Sequence, residues 1–253
     1  MKRQQNPYKI QIGIIIFLIG FLFSCSKENR WDCIKRSGEQ TTDIRTLPPF
    51  TGMYVNNNID VFITQGPTQE VKVVAGKNLV SLVKTEVTSG ALHISNENKC
   101  NWARSYKKGV ISVYITIPVI NIVENDGSGI ITGQNTILTN TITISTSESG
   151  DIKLSLNANT TYIDCTGSSD ITLQGSTSNL GIYHTNAGYI YCQNFPANII
   201  WTGNYASGNE YLNGITALGA TIGWAGDIYY TGNPQITQDK ITVNGTGSLI
   251  HQN

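Results

Sequence analysis

"GSSDITLQG", residues 167–175, reads as a polar turn running into a short alternating strand. Close relatives surround it: "ESGDIKLSL" (148–156), "NAGYIYCQN" (186–194), "ASGNEYLNG" (206–214), "WAGDIYYTG" (224–232) and "GTGSLIHQN" (245–253). Aligning the strand's first apolar slot gives Ile131, Ile152, Ile171, Ile190, Glu210, Ile228 and Leu249, at intervals of 21, 19, 19, 20, 18 and 21 residues. A period that drifts slightly while the strands stay in phase marks a repeat whose turns accept insertions. Other columns keep step. Two residues later stand Leu154, Leu173, Cys192, Leu212 and Tyr230; eight residues earlier stand Val123, Ile144, Ile163, Ile182, Thr202, Ala220 and Ile241. Polar residues alternate with these positions, so each strand has one inward and one outward face.

A unit of about 20 residues cannot bury such a face alone, but stacking like slots on like slots does so. The expected fold is therefore all-β, a parallel β-helix (solenoid) with coils of about 20 residues and rungs roughly 4.8 Å apart. Gly and Asp sit at the corners, where positive φ or a side-chain-to-backbone bond is expected. A β-sandwich with chance-spaced turns is the rival architecture, and six successive intervals of 18 to 21 weigh against it. Regular repeats occupy residues 121–253. Residues 50–120 are strand-rich ("NIDVFITQG", "EVKVVAG", "ALHIS", "ISVYITIP") but lack the period, and read as irregular coils capping the same solenoid.

The N-terminus differs in kind. Lys2, Arg3 and Lys9 precede the apolar "IQIGIIIFLIGFLFS" (10–24), which suits an export signal over residues 1–24 better than a membrane span. "LFSC" (22–25) resembles a bacterial lipobox, with Cys25 the residue to be lipidated. The membrane is then a partner through an N-terminal lipid, the outer membrane being the expected site. Lys27 and Glu28 partly match surface-export signals and Asn29 breaks the match, so the periplasmic and surface sides both stay open. Residues 25–49 read as a tether.

Composition excludes some partners. Charged residues make up 13% of the chain, against a usual ~25%. Residues 1–108 hold 15 basic and 8 acidic side chains; residues 109–253 hold 2 and 9, a net charge of −7. Such a half repels phosphate backbones, so nucleic acid is not expected as a partner.

"FTGMYVNNNIDVFITQG" (50–66), "AGKNLVSLVKTEVTSGALHISNENKCNW" (75–102) and "GDIYYTGNP" (226–234) with its continuation to Ile250 resemble the family described as Putative auto-transporter adhesin, head GIN domain. The resemblance implies a right-handed parallel β-helix in an exported or lipid-anchored protein, and brings no catalytic motif with it. Glu210 departs from the pattern by occupying an inward slot where an aliphatic residue is expected.

Candidate chemistry is sparse. Asp151 and Asp170 share a slot on adjacent rungs, so an acidic groove of the kind used by polysaccharide lyases or hydrolases is one reading. Asp as a turn cap is the plainer one. His184 falls in the column Asn125, Thr146, Cys165, His184, Asn204, which reads as a ladder of hydrogen-bonding side chains rather than a catalytic position. No nucleophile elbow, phosphate loop or Cys-x-x-Cys pair occurs, so no metal or cofactor is expected. Tyr162, Tyr183, Tyr189, Tyr191, Tyr205, Tyr211 and Tyr229 lie at or near outward positions among Asn and Thr. Tyr162, Tyr183, Tyr189 and Tyr191, with Asp151 and Asp170, form the candidate surface for a glycan or envelope-protein ligand, though exposed Tyr also simply favours sheets. The expected function is a non-enzymatic adhesin-like or structural binding module; a carbohydrate-active enzyme is the alternative.

Two further expectations concern single residues. Glu210 is either buried with a proton or a partner, or carried to water by a bulged rung. With Cys25 assigned to lipid, Cys165 and Cys192 fall in different columns as small buried residues. That leaves Cys33 and Cys100 as a disulfide pair, permitted by export and closing a loop worth on the order of 4 kcal/mol.

Overall fold

The structure, a computed structural model, describes residues 37–98, 111–236 and 240–252. Among these, seventeen strands form an all-β fold built on a parallel solenoid of about 6 turns. The regular part comprises β9 (Ile131–Thr146), β10 (Ile152–Cys165), β11 (Ile171–Asn186), β12 (Ile190–Asn194), β13 (Ala197–Ala206), β14 (Glu210–Ile222), β15 (Ile228–Gly232), β16 (Ile241–Val243) and β17 (Leu249–His251). Every pairing among them is parallel, and the register reproduces the expected columns. Ile131, Ile152, Ile171, Ile190, Glu210, Ile228 and Leu249 are successive rung partners. So are Ile144, Ile163, Ile182, Thr202, Ala220 and Ile241. The aliphatic members are almost all fully buried, forming one continuous core along the axis.

At the corners Asp151 and Asp170 bond backbone amides as expected, but the glycines work differently. Of the corner glycines 129, 150, 188, 208, 226 and 247, none has positive φ. They are needed for space. A Cβ at Gly188 would stand 1.9 Å from the Ser169 carbonyl oxygen, and one at Gly208 only 1.6 Å from that of Gly188. Each corner Cα is thus laid almost directly on the carbonyl of the preceding coil.

The first part of the domain is mixed. Its strands are β1 (Gln40–Arg45), β2 (Gly52–Asn57), β3 (Asp60–Gln65), β4 (Glu70–Gly76), β5 (Val83–Thr88), β6 (Ala91–Asn96), β7 (Ser112–Ile117) and β8 (Ile122–Gly127). β2 lies parallel between β6 and β8, and β3 between β7 and β9, which continues the solenoid. β1 and β4, β4 and β7, and β5 and β6 are antiparallel, so this region is not a set of coils alone. The β5–β6 hairpin turns through Ser89 (φ 53°) and Gly90 (φ 78°), two positive-φ residues as a tight hairpin requires. Part of the segment read as tether, Gln40–Arg45, is strand β1. "QTTDIR" is an edge strand held by backbone pairing and by Arg45, whose guanidinium donates to the Val80 carbonyl at 2.9 Å. Such a strand shows no apolar alternation in sequence. Cys25, Cys33 and Cys100 lie outside the described residues.

Candidate ligand faces and a buried His–Glu pair

The repeat that builds the core also stacks its outward residues, and the candidate tyrosines fall on two faces of different character. On one, Tyr191, Tyr211 and Tyr229 are rung partners. Their rings stack at 5.3 and 5.1 Å with interplanar angles of 6° and 9°, and Tyr189 stacks on Tyr191 at 6.0 Å. These rings spend their faces on each other. Beside them, Asp151 accepts from the Asp170 amide at 3.0 Å and Asp170 from the Tyr189 amide at 3.0 Å. Asn209 and Asp227 repeat the bond to the amides of Asp227 and Ser248, both at 2.8 Å. Asp151 and Asp170 are therefore caps, each tying its corner to the next coil. Lys153 lies 3.9 Å from the Asp151 carboxylate on the surface.

The second face is built by β10, β11, β13 and β14. Tyr162, Gly181, Trp201 and Gly219 are consecutive rung partners, an alternation of ring and glycine. Each aromatic ring leans over the glycine of the next coil. A Cβ at Gly219 would meet the Trp201 ring at 2.2 Å, one at Gly181 would meet Tyr162 at 3.0 Å, and one at Gly223 would meet Tyr205 at 2.1 Å. Here Tyr183 and Tyr205 meet at a tilt of 47°, 5.8 Å between centres, rather than face to face. Tyr162 is 52% exposed, Tyr183 51%, Trp201 51% and Tyr205 44%. The Lys240 ammonium stands 5.5 Å from the Trp201 ring centre. The tyrosine count pointed to this surface, but Trp201 did not figure in it; the glycine one coil later is the signal that finds it.

Alongside runs the column Glu124, Ser145, Asp164, Tyr183. Burial, a hydrogen bond with Asp126 and the charges of Asp126 and Asp164 push the Glu124 carboxyl up to about 7. Partial burial raises Asp164 as well.

Inside the coil lies a polar cluster. Asn125, Thr146, Cys165, His184 and Asn204 form the expected ladder, and four of them face the carbonyl four residues on. Asn125 donates to Gly129 at 2.9 Å, Asn204 to Gly208 at 3.2 Å, and the Cys165 thiol to Ser169 at 3.6 Å. His184 does the same work through Nε2, 2.9 Å from the Gly188 carbonyl. A carbonyl only accepts, so Nε2 carries hydrogen, assigned from this bond. Nδ1 then faces Glu210 Oε1 at 3.3 Å. That contact is poorly aligned for a hydrogen bond, so the attraction is mainly ionic. Glu210 Oε2 accepts from the Thr202 hydroxyl at 2.6 Å. Both His184 and Glu210 are fully buried, and the rung does not bulge to bring Glu210 to water. Burial alone lowers the His184 pKa, but the Cys165 sulfur and the Glu210 carboxylate outweigh it and hold the imidazole at about 9. The thiol of Cys192, also fully buried, is pushed upward by burial and by the charge of Glu210.

Three solved structures share this architecture. A putative adhesin from Bacteroides fragilis is 20% identical, with a TM-score of 0.77 and coverage of 85% of this chain and 98% of that one. A putative lipid binding protein from Parabacteroides distasonis is also 20% identical over the same shares, with a TM-score of 0.65. A putative adhesin from Parabacteroides merdae is 18% identical over 85% and 97%, with a TM-score of 0.59. At these identities the likeness carries the fold alone. A search of curated proteins found no match. Residues 49–234 match the family described as Putative auto-transporter adhesin, head GIN domain, and the chain belongs to that family.

Proposed function

We propose that the protein is a non-enzymatic, adhesin-like binding module of the cell envelope, held to the membrane by lipid on Cys25 and steadied by a Cys33–Cys100 disulfide. The observation that carries the binding role is the aromatic–glycine face, where four large rings stay about half exposed on a rigid sheet. Exposed apolar area of this kind, rimmed by polar residues, is a common mark of an interaction site. The family description agrees with an envelope-associated adhesive role.

Catalysis finds less support in the side-chain arrangement. His184 and Glu210, the pair with the chemistry of an acid–base couple, are sealed in the core beyond a substrate's reach. Asp151 and Asp170, the sequence candidates for an acidic groove, are occupied with backbone amides. One observation favours the rival reading of a carbohydrate-active enzyme: Glu124 is held near 7, a value matched to proton transfer, beside Asp126.

One experiment separates the two. The purified protein is immobilised and exposed to a panel of polysaccharides and envelope or matrix proteins, and the polysaccharides are then sized. Retention of at least one ligand with its chain length unchanged is expected. Shortened polysaccharide, abolished by Glu124→Gln, overturns the non-enzymatic reading; retention of nothing overturns the adhesive one.

A further inference from the structure

We infer that the face of β10, β11, β13 and β14 binds a neutral, extended polysaccharide, its sugar rings stacking on Tyr162, Trp201 and Tyr205. The inference rests on the adhesive reading above and names its ligand.

Ring orientation comes first. An aromatic side chain binds the apolar face of a pyranose when one of its own faces is open. The ladder of Tyr191, Tyr211 and Tyr229 fails this test, because its rings stack on each other at 5.1 to 5.3 Å. Tyr162 and Tyr205 pass it, and Trp201 does so where a sugar displaces the Lys240 ammonium that lies over its ring, 5.5 Å from the centre. Each packs onto a glycine of the following coil, which covers one side, and 44 to 52% of each residue stays exposed. Glycine here is a matter of space, since any Cβ at Gly219 or Gly223 would drive the ring off the sheet.

Spacing comes second. Tyr162 and Trp201 share a column and are separated by one glycine rung, so their backbones lie two rungs apart, roughly 10 Å. That is about the reach of two linked pyranose rings in an extended chain. Alternate sugars of a polymer running along the solenoid axis can therefore meet Tyr162 and Trp201 in turn. Tyr205, two residues beyond Gly203 on the same strand, widens the platform, with Tyr183 tilted against it at 5.8 Å.

Charge comes third, and it selects among glycans. Asp164 lies two residues beyond Tyr162 on β10 and is the rung partner of Tyr183, while Glu124 and Asp126 stand on β8, two coils before Tyr162. A uronate or sialylated polymer meets like charge along this edge, whereas a neutral chain does not.

The test uses the purified protein with hydroxyethyl cellulose, a neutral β-1,4-linked glucan, and with polygalacturonate, in affinity electrophoresis and tryptophan fluorescence. The wild type is expected to be retarded by the neutral glucan and to bind polygalacturonate more weakly. Trp201→Ala and Tyr162→Ala should each lose about tenfold in affinity, the scale of one aromatic stacking contact. Trp201→Phe should recover part of the loss, and Tyr211→Ala, on the self-stacked ladder, should bind as wild type. Unchanged melting curves show that the variants fold. If the wild type binds glucan and the Trp201 and Tyr162 variants bind equally well, the platform is wrong while the adhesive reading stands. If polygalacturonate binds more tightly, the charge argument and the inference fall together. If no neutral glycan binds, the inference is overturned, and the adhesive reading rests on protein ligands from the wider panel.

Discussion

Replacing Glu210 by isoleucine, the residue above and below it in the column, is expected to weaken the fold even though it restores the aliphatic pattern. With the Cys165 sulfur, the carboxylate holds the buried His184 imidazole at about 9 against an ordinary 6.5. That rise corresponds to roughly 3 kcal/mol favouring the imidazolium in the folded state, shared between the two partners. Removing one member of a buried pair leaves the other uncompensated, commonly a loss of about 3–5 kcal/mol. For a domain of this size each kcal/mol is worth about 2–4 °C, so Glu210→Ile should lower the melting temperature by roughly 6–20 °C at pH 6. A pKa raised on folding sets the sign of the pH dependence. The His184 contribution is complete below about 6.5 and fades as the pH climbs through 9, so the wild type should lose it between those values. The variant should lack that slope. His184→Asn combined with Glu210→Ile should recover most of the stability, because Asn125 and Asn204 already fill the equivalent slot and bond the equivalent carbonyls, those of Gly129 and Gly208. Circular-dichroism melts of the three proteins at pH 6, 8 and 10 decide the matter. A Glu210→Ile variant as stable as wild type at pH 6, with the same pH slope, refutes the pair as described.

Gly208→Ala, placing a Cβ 1.6 Å from the Gly188 carbonyl, should cost about 3 kcal/mol or more, against about 1 kcal/mol for Gly90→Ala, whose Cβ meets nothing and suffers only from φ 78°; urea titration of both variants makes the comparison. Cys165 and Cys192, fully buried, should resist an aromatic disulfide reagent in the folded protein and react once it is denatured, as read by peptide mapping. Cys25→Ser should release the protein from the membrane fraction or stall its precursor, and intact lipid attachment at the N-terminal peptide would contradict the lipoprotein proposal. Non-reducing mapping should find Cys33 linked to Cys100; free thiols at both would remove that bond.

How much of this was written in the sequence follows from how each part is held together. The column of Ile131, Ile152, Ile171 and Ile190 is legible because parallel stacking maps the same slot of every coil onto its neighbour, so register and sequence period are one quantity. The antiparallel β1, β4 and β5–β6 pairings have no period to expose them, and β1 carries no apolar alternation. Glu210 was visible as a misfit, but its partners were not. Thr202 reaches it across the interior of the same coil and His184 from the coil before, contacts that no single column records. The combined signal is two polar residues eight apart in apolar columns, preceded by a histidine in a ladder otherwise built of small polar or thiol side chains. Corner glycines were found for the wrong reason: backbone clearance rather than positive φ requires them.

That clearance makes the corner a ruler. With Gly188 and Gly208 seated on the carbonyls of Ser169 and Gly188, the pitch at the corner is set by main-chain contact and owes little to the girth of the residues inside. Isoleucine, threonine and alanine can then succeed one another in a column, as Ile182, Thr202 and Ala220 do, without stretching or shrinking the stack. The interior is free to vary in chemistry while the outside keeps a constant metre, and any pattern displayed on the surface inherits its intervals from the backbone.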